Sequence, residues 1–156
     1  MRVKEVMTPG VDVIRPDSTL QEAAAKMKAR DIGPLPVCDG GRLVGMLTDR
    51  DITVRATAEG EDPATIRVRD IMTPEVVACF EDQLVSEAAQ LMQDRQVRRL
   101  VVLNRDKQLV GIVSLGDLAV QTGDEQLAGQ TLEQVSEPAP PFPPAGEMMK
   151  QRVLNP

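Results

Sequence analysis

The sequence predicts a mixed α/β fold of the α+β type: two pseudo-symmetric β-α-β-β-α units followed by a proline-rich C-terminal tail. Three observations predict it. The chain is internally duplicated, each copy alternates short β-branched runs with amphipathic helical spacing, and the pattern stops after about residue 123. Residues 3–9 read VKEVMTP and residues 68–74 read VRDIMTP. This offset of 65 persists with 13 identities in the 35 positions from Val3 to Val37, where ordinary composition would give about two or three. One inserted residue then moves the offset to 66, so that Leu43-Val44-Gly45 meets Leu109-Val110-Gly111, Thr48 meets Ser114 and Asp51 meets Asp117. Two copies make a pseudo-symmetric pair; a solenoid needs three or more. The repeats are placed at 1–60 and 68–122, with 61–67 as linker and 123–156 as a C-terminal extension, partly proline-rich and flexible.

Each element has a local reason. Val11 to Ile14 is a short β-branched run, broken by Pro16-Asp17-Ser18. Ser18-x-x-Gln21 reads as a capping box, and Leu20, Ala23, Ala24 and Met27 follow at helical spacing. Leu35 to Cys38 is a strand, Asp39-Gly40-Gly41 a hairpin turn, and Leu43 to Leu47 the returning strand. Thr48 to about Ala58 is a helix stopped by Gly60. The second copy predicts strands near Val76–Phe80, Leu100–Leu103 and Gln108–Val113, and helices near Leu84–Asp94 and from Ser114. Residues 124–136 allow one more short helix, carrying Leu127, Leu132 and Val135. Five prolines in the nine residues from Ser136 to Pro144 then favour an extended tail. Such a tail is either solvated or a ligand for an aromatic groove.

Composition removes several function classes. The 156 residues include 24 acidic and 18 basic side chains, a formal charge of −6, which argues against a broadly basic nucleic-acid surface. There is no His, Trp or Tyr and only two Phe. That leaves no Ser-His-Asp triad, no Cys-His pair, no His-ligated metal and no base-stacking platform. No apolar run approaches the roughly 18 to 20 residues of a membrane span, and no signal-peptide core precedes the first repeat. The expectation is a cytoplasmic, non-enzymatic protein that binds neither nucleic acid nor membrane. Cys38 and Cys79 lie 41 positions apart and read as reduced, buried thiols.

The duplicated Thr48-x-x-Asp51 and Ser114-x-x-Asp117 admit two readings. Both are capping boxes, in which the hydroxyl accepts from one helix amide and the carboxylate reaches back to the N-cap amide. The same groups suit a nucleotide: a carboxylate accepts two hydrogen bonds from vicinal ribose hydroxyls, and a hydroxyl with exposed amides holds phosphate. On pattern alone, capping is the plainer reading.

The order VMTP/IMTP, EAA helix, LPV strand, Gly45-Met-Leu-Thr48-Asp-Arg-Asp51 and Gly111-Ile-Val-Ser114-Leu-Gly-Asp117 resembles a tandem cystathionine β-synthase (CBS) domain pair, or Bateman module. Thr48-Asp49-Arg50-Asp51-Ile52 looks typical of the stand-alone bacterial type. The similarity covers about residues 1–122. It implies two repeats packed sheet to sheet, clefts between them for adenine nucleotides, and dimerisation into a flat disc. It implies one site made by Val11, Asp12, Val13, Gly33, Leu35, Pro36, Thr48, Arg50 and Asp51. A second would be made by Val76, Val77, Ala78, Arg98, Arg99, Leu100, Ser114 and Asp117. Backbone groups would read the adenine edge while aliphatic side chains sandwich its faces. The plain alternative for the valines is strand core. The sites are unequal: Arg50 becomes Gly116, Gly33-Pro34 becomes Arg98-Arg99, and Pro36 becomes Val101. The two arginines either reach phosphate or form an exposed basic pair.

The expected function is a regulatory sensor. It binds AMP, ADP, ATP or an adenosyl ligand, with or without Mg²⁺, and passes a homodimer shape change to a protein target. Ile52 and Leu118 are expected to supply apolar dimer contacts. The alternative is a scaffold with empty clefts that recruits a partner through its dimer face or tail.

Overall fold

The computed structural model describes residues 1–138. After a 3-10 turn at Val3–Glu5 come β1 (Thr8–Pro9), α1 (Leu20–Arg30), β2 (Pro34–Asp39), β3 (Arg42–Thr48) and α2 (Asp49–Asp51). The last continues as a π-helical stretch over Ile52–Thr57. Then follow α3 (Val68–Ile71), β4 (Ala78–Phe80), α4 (Val85–Arg95), β5 (Arg99–Leu103), β6 (Leu109–Ser114), α5 (Leu115–Thr122) and α6 (Glu125–Ser136). The mixed α/β class read from the duplication is the observed one. Most of the proline-rich stretch, from residue 139 on, lies outside the described residues.

Two compact units emerge: a first unit of Asp12–Val76, and a second of Met1–Val11 with the chain from Val77 onward. The boundaries are offset from the sequence repeats, because each repeat contributes its opening segment to the other's unit. Thr8 and Pro9 pair antiparallel with Ile112 and Gly111 of β6. In the first unit, Thr73 and Met46 exchange both backbone hydrogen bonds at 2.9 Å. This explains the duplicated V-x-x-[V/I]-M-T-P. Its two aliphatic residues, Val3 and Val6 or Val68 and Ile71, enter the core of the receiving unit, and the MTP stretch edges its hairpin.

In the first unit β2 and β3 form a hairpin whose turn residues, Gly40 and Gly41, both have positive φ, as a two-residue type I′ turn requires. Helix α1 lays Leu20, Ala23 and Met27 on a core with Leu35, Val37 and Leu47. Its N-cap is Thr19, one residue later than the expected Ser18. The Thr19 hydroxyl accepts from Glu22 N at 3.1 Å, and the Glu22 carboxylate accepts from Thr19 N at 3.3 Å. The register is fixed elsewhere: Leu20 N donates to the Ile66 carbonyl and Val68 N to the Ser18 carbonyl. The strand expected over Val11–Ile14 shrinks to a single parallel bridge between Ile14 and Val37. Proline chemistry explains it. In the second unit Val101 N donates to the Val77 carbonyl. The equivalent of Val101 is Pro36, which has no N–H to offer Asp12.

The second unit holds a four-stranded sheet in the order β1-β6-β5-β4, with β4 parallel to β5 and the other pairs antiparallel. Ala88, Ala89 and Met92 of α4 and Leu118 of α5 pack on Leu100, Val102 and Val113. Helix α6 lies against α4 and α5. It buries Val135 and also Thr131, whose hydroxyl donates to the Leu127 carbonyl at 2.7 Å and accepts from Gln93 Nε2 at 3.0 Å. These residues belong to the core, which a reading of 123–156 as a flexible extension does not anticipate. Leu118 is wholly buried and unavailable to a dimer face, and Ile52 packs on the first unit's core. The exposed apolar residues of these two helices are instead Val54, 46% exposed, and Val120, 79% exposed. They occupy equivalent positions of the two repeats.

Candidate functional site

The capping boxes form as the sequence predicts. Thr48 N donates to Asp51 Oδ2 at 2.9 Å while Asp51 N donates to Thr48 Oγ1 at 3.1 Å. In the second unit Ser114 N donates to Asp117 Oδ2 at 2.8 Å and Asp117 N to Ser114 Oγ at 3.1 Å. Each box sits where a hairpin strand turns into a helix, and both hydroxyl residues have extended backbones near φ −115°. The geometry satisfies two of the helix-start amides. It uses one carboxylate oxygen per aspartate and leaves Oδ1 of each without a hydrogen bond among the described residues. Thr48, Asp51, Ser114 and Asp117 are all half-buried, so the free oxygens stand at a surface a ligand can reach.

The hairpin brings the neighbouring candidates to the same place. Pro34 is the cross-strand partner of Thr48, and the Gly33 carbonyl accepts from Asp49 N at 3.0 Å. In the second unit Arg99 partners Ser114, and the Arg98 carbonyl accepts from Leu115 N at 2.8 Å. Arg50 projects exposed from α2. Leu35 and Leu100 are core side chains and Pro36 is buried, so Leu35 and Leu100 offer a ligand backbone groups only. Asp12 and Val13 lead into the Ile14 bridge. The Asp12 carboxylate pairs with Arg30 at 3.5 Å, and the Val13 carbonyl accepts from Lys26 Nζ. Val77 and Ala78 flank β5 in the corresponding position. Val11 belongs to the second unit and Val76 to the first, each apart from the unit that holds the rest of its expected set.

Three features escaped the sequence reading. The Asp49 carboxylate faces Gly33 so closely that a Cβ there would lie 3.1 Å from Asp49 Oδ1. Its signal was present in the Thr48–Asp51 motif, yet its neighbour is 16 residues away. Lys26 of α1 donates to the Val13 carbonyl in the segment after the first MTP, 13 residues back along the chain. Arg98, expected near phosphate, donates to Ser136 Oγ of α6 at 3.3 Å. Beside it Gln96 Nε2 donates to the carbonyls of Gln134 and Glu137 at 3.4 and 3.3 Å. Away from these positions, Arg105 donates from Nε to Asp82 Oδ2 at 2.9 Å, makes an ion-pair contact with Asp82 Oδ1 at 2.8 Å and lies 4.2 Å from the Phe80 ring centroid. The Arg105 hydrogen bond and charge hold the Asp82 carboxyl below its usual range. Burial raises both thiols, Cys79 to about 11.

A cleft of about 360 Å³ opens in the second unit among Met1, Leu84, Val85, Ser86, Thr122, Asp124 and Leu127. It contains none of the candidate residues. No helix among the described residues is long and apolar enough to cross a membrane.

Comparison with known proteins identifies the duplicated unit. The CBS domain model matches twice, at residues 3–56 and 68–121. The CBS domain-containing protein YhcV of Bacillus subtilis is 44% identical over 134 residues, covering 86% of this chain and 94% of the relative. The CBS domain pair of protein MJ0100, solved in complex with 5′-methylthioadenosine and S-adenosyl-L-methionine, is 27% identical with a TM-score of 0.69. The match covers 79% of this chain and 96% of that one. CBSX2 in complex with AMP is 26% identical with a TM-score of 0.67, covering 80% and 98%. The duplicated motif, the two capped helix starts and the two family matches coincide, and the chain belongs to the CBS domain family, with two copies of the domain in tandem.

Proposed function

We propose that this chain is a regulatory, non-catalytic sensor that binds an adenine nucleotide or adenosyl compound and signals through the shape of a homodimer to a protein target in the cytoplasm. The observation that carries this reading is the pair of capping boxes. Each aspartate is fixed through one oxygen and leaves the other free to accept hydrogen bonds, as a ribose diol would require. Adenosyl ligands in the MJ0100 and CBSX2 structures support the ligand class. In the first unit the site comprises Asp12, Val13, Gly33, Pro36, Thr48, Arg50 and Asp51, with Leu35 offering its backbone. In the second it comprises Val77, Ala78, Arg98, Arg99, Ser114 and Asp117, with Leu100 in the same role. Val54 and Val120, matched by the duplication and exposed, are the apolar residues that a second copy would cover.

The boxes also favour a second reading. The helix-start amides they cap are satisfied without a ligand, as a scaffold with empty clefts would require. Calorimetry of the purified protein against AMP, ADP, ATP, adenosylmethionine and a guanine control, with and without Mg²⁺, separates the two. Saturable binding of an adenosyl ligand and not of the guanine control supports the sensor. No heat from any of them, and no nucleotide carried through purification, supports the scaffold.

A further inference from the structure

The two capped helix starts present different charge. Register makes their surroundings comparable: Pro34 stands opposite Thr48 where Arg99 stands opposite Ser114, and Asp49 follows Thr48 where Leu115 follows Ser114. Cross-strand partners share a face with Cβ atoms about 4.5–5.5 Å apart, so the Arg99 side chain leaves the sheet beside the Ser114 hydroxyl. Arg99 is exposed, and no carboxylate pairs with it among the described residues. Arg98 is turned to Ser136, which leaves Arg99 as the uncommitted cation. The second unit thus sets one uncommitted cation, Arg99, against the single acid Asp117.

The first unit sets two carboxylates, Asp49 and Asp51, beside Gly33 and Pro34. Of its cations, Arg30 pairs with Asp12 and Lys26 donates to the Val13 carbonyl, which leaves the exposed Arg50 as one cation against the two acids that flank it in the chain. A phosphate placed at this helix start would meet like charge on two sides.

We propose that the two sites divide adenosyl ligands by charge. The second unit takes a phosphate-bearing adenine nucleotide with Arg99 as its phosphate partner. The first unit takes an adenosyl ligand without phosphate, and Asp49 is the residue that excludes phosphate there. This rests on the reading that each capped helix start holds an adenosyl ligand.

The test is calorimetry of the full chain with AMP and with 5′-methylthioadenosine, at low and high salt. Wild type is compared with Arg99→Gln and Asp49→Leu, after melting curves show that the variants fold. AMP should bind wild type at one site per chain and weaken with salt, while methylthioadenosine should be insensitive to salt. Arg99→Gln should weaken AMP by about tenfold to a hundredfold, the range for a charge-assisted hydrogen bond, and leave methylthioadenosine unchanged. Asp49→Leu should add a second AMP site. Equal losses for both ligands in Arg99→Gln, unchanged AMP binding, or two equal AMP sites in wild type would overturn the division by charge alone. Wild type that binds neither ligand would overturn the adenosyl reading as well. If a variant does not fold, the salt dependence of wild type decides: an AMP affinity that ignores salt refutes the proposal.

Discussion

Replacing Gly111 by alanine tests the pairing between the MTP segments and the hairpins. Gly111 is buried in β6, opposite Val102 on one side and Pro9 on the other. Its φ is not positive, so conformational freedom is not what the position needs. Space is: a Cβ there would lie 2.7 Å from Met7 Sδ and 2.8 Å from the Thr8 carbonyl oxygen. The thioether is the flexible end of a side chain and moves aside cheaply. The carbonyl is backbone, held by the ladder between β1 and β6, and it retreats only if that pairing opens. Overpacking of this kind costs about 1–3 kcal/mol. At this chain length each kcal/mol is worth roughly 2–4 °C in Tm, so the expected fall is roughly 2–12 °C by scanning calorimetry. Combining Gly111→Ala with Met7→Ala should recover only the side-chain part of the clash. Gly45→Ala, with its Cβ 2.7 Å from Met72 Sδ and 2.9 Å from the Thr73 carbonyl, should behave alike. A Gly111→Ala protein melting within about 1 °C of wild type would refute the close approach of β1 to β6.

Truncation after Gly123 removes the buried Thr131 and Val135 and uncovers the helices beneath them. A loss of at least about 2 kcal/mol is expected from the area exposed, read as a lower urea midpoint. A thiol reagent at pH 8 should label half-buried Cys38 before Cys79, which should react only on unfolding. Because burial raises the folded Cys79 pKa from 9.0 to about 11, its contribution to stability is complete below about pH 9. It is lost as pH climbs toward 11 and the unfolded thiol ionises first, a trend that Cys79→Ala should lack. Asp51→Ala should cost about 0.5–2 kcal/mol of stability through the lost cap and also weaken nucleotide binding. Asp51→Asn should keep more of the cap and lose the binding; if it binds like wild type, the carboxylate is a cap alone.

What the sequence carried plainly was whatever depends on neighbours in the chain. The capped helix starts, the Gly40-Gly41 turn and the apolar stripe of α1 are local, and duplication shows the capped starts and the stripe twice. What it hid depends on partners far along the chain. Nothing near residues 3–9 says that they pair with β6, because that register is set by space at Gly111. The strand at Val11–Ile14 looked sound until Pro36, more than twenty residues on, withheld the N–H it needed. Leu118 reads as a dimer contact in the sequence, and its burial follows from its place in a core with Leu100, Val102 and Val113, far from it in the chain. Arg98 was legible as a cation, but its engagement with Ser136 was not.

The capping boxes link folding to the proposed sensing. A site built from unpaired buried polar groups would destabilise the empty protein by about 1–3 kcal/mol for each missing bond. Here Thr48 with Asp51, and Ser114 with Asp117, satisfy one another first, so the helix starts are complete before any ligand arrives. A ligand that takes only the spare carboxylate oxygens breaks none of these bonds, and its binding energy is not consumed in assembling the site. A ligand shifts a conformational equilibrium only by its differential affinity for the two states. In a site preformed on rigid hairpins, that difference has to come from groups outside the box. The exposed Arg50 and Arg99, unlike between the repeats, are the candidates best placed to supply it, which is why the two sites need not send the same signal.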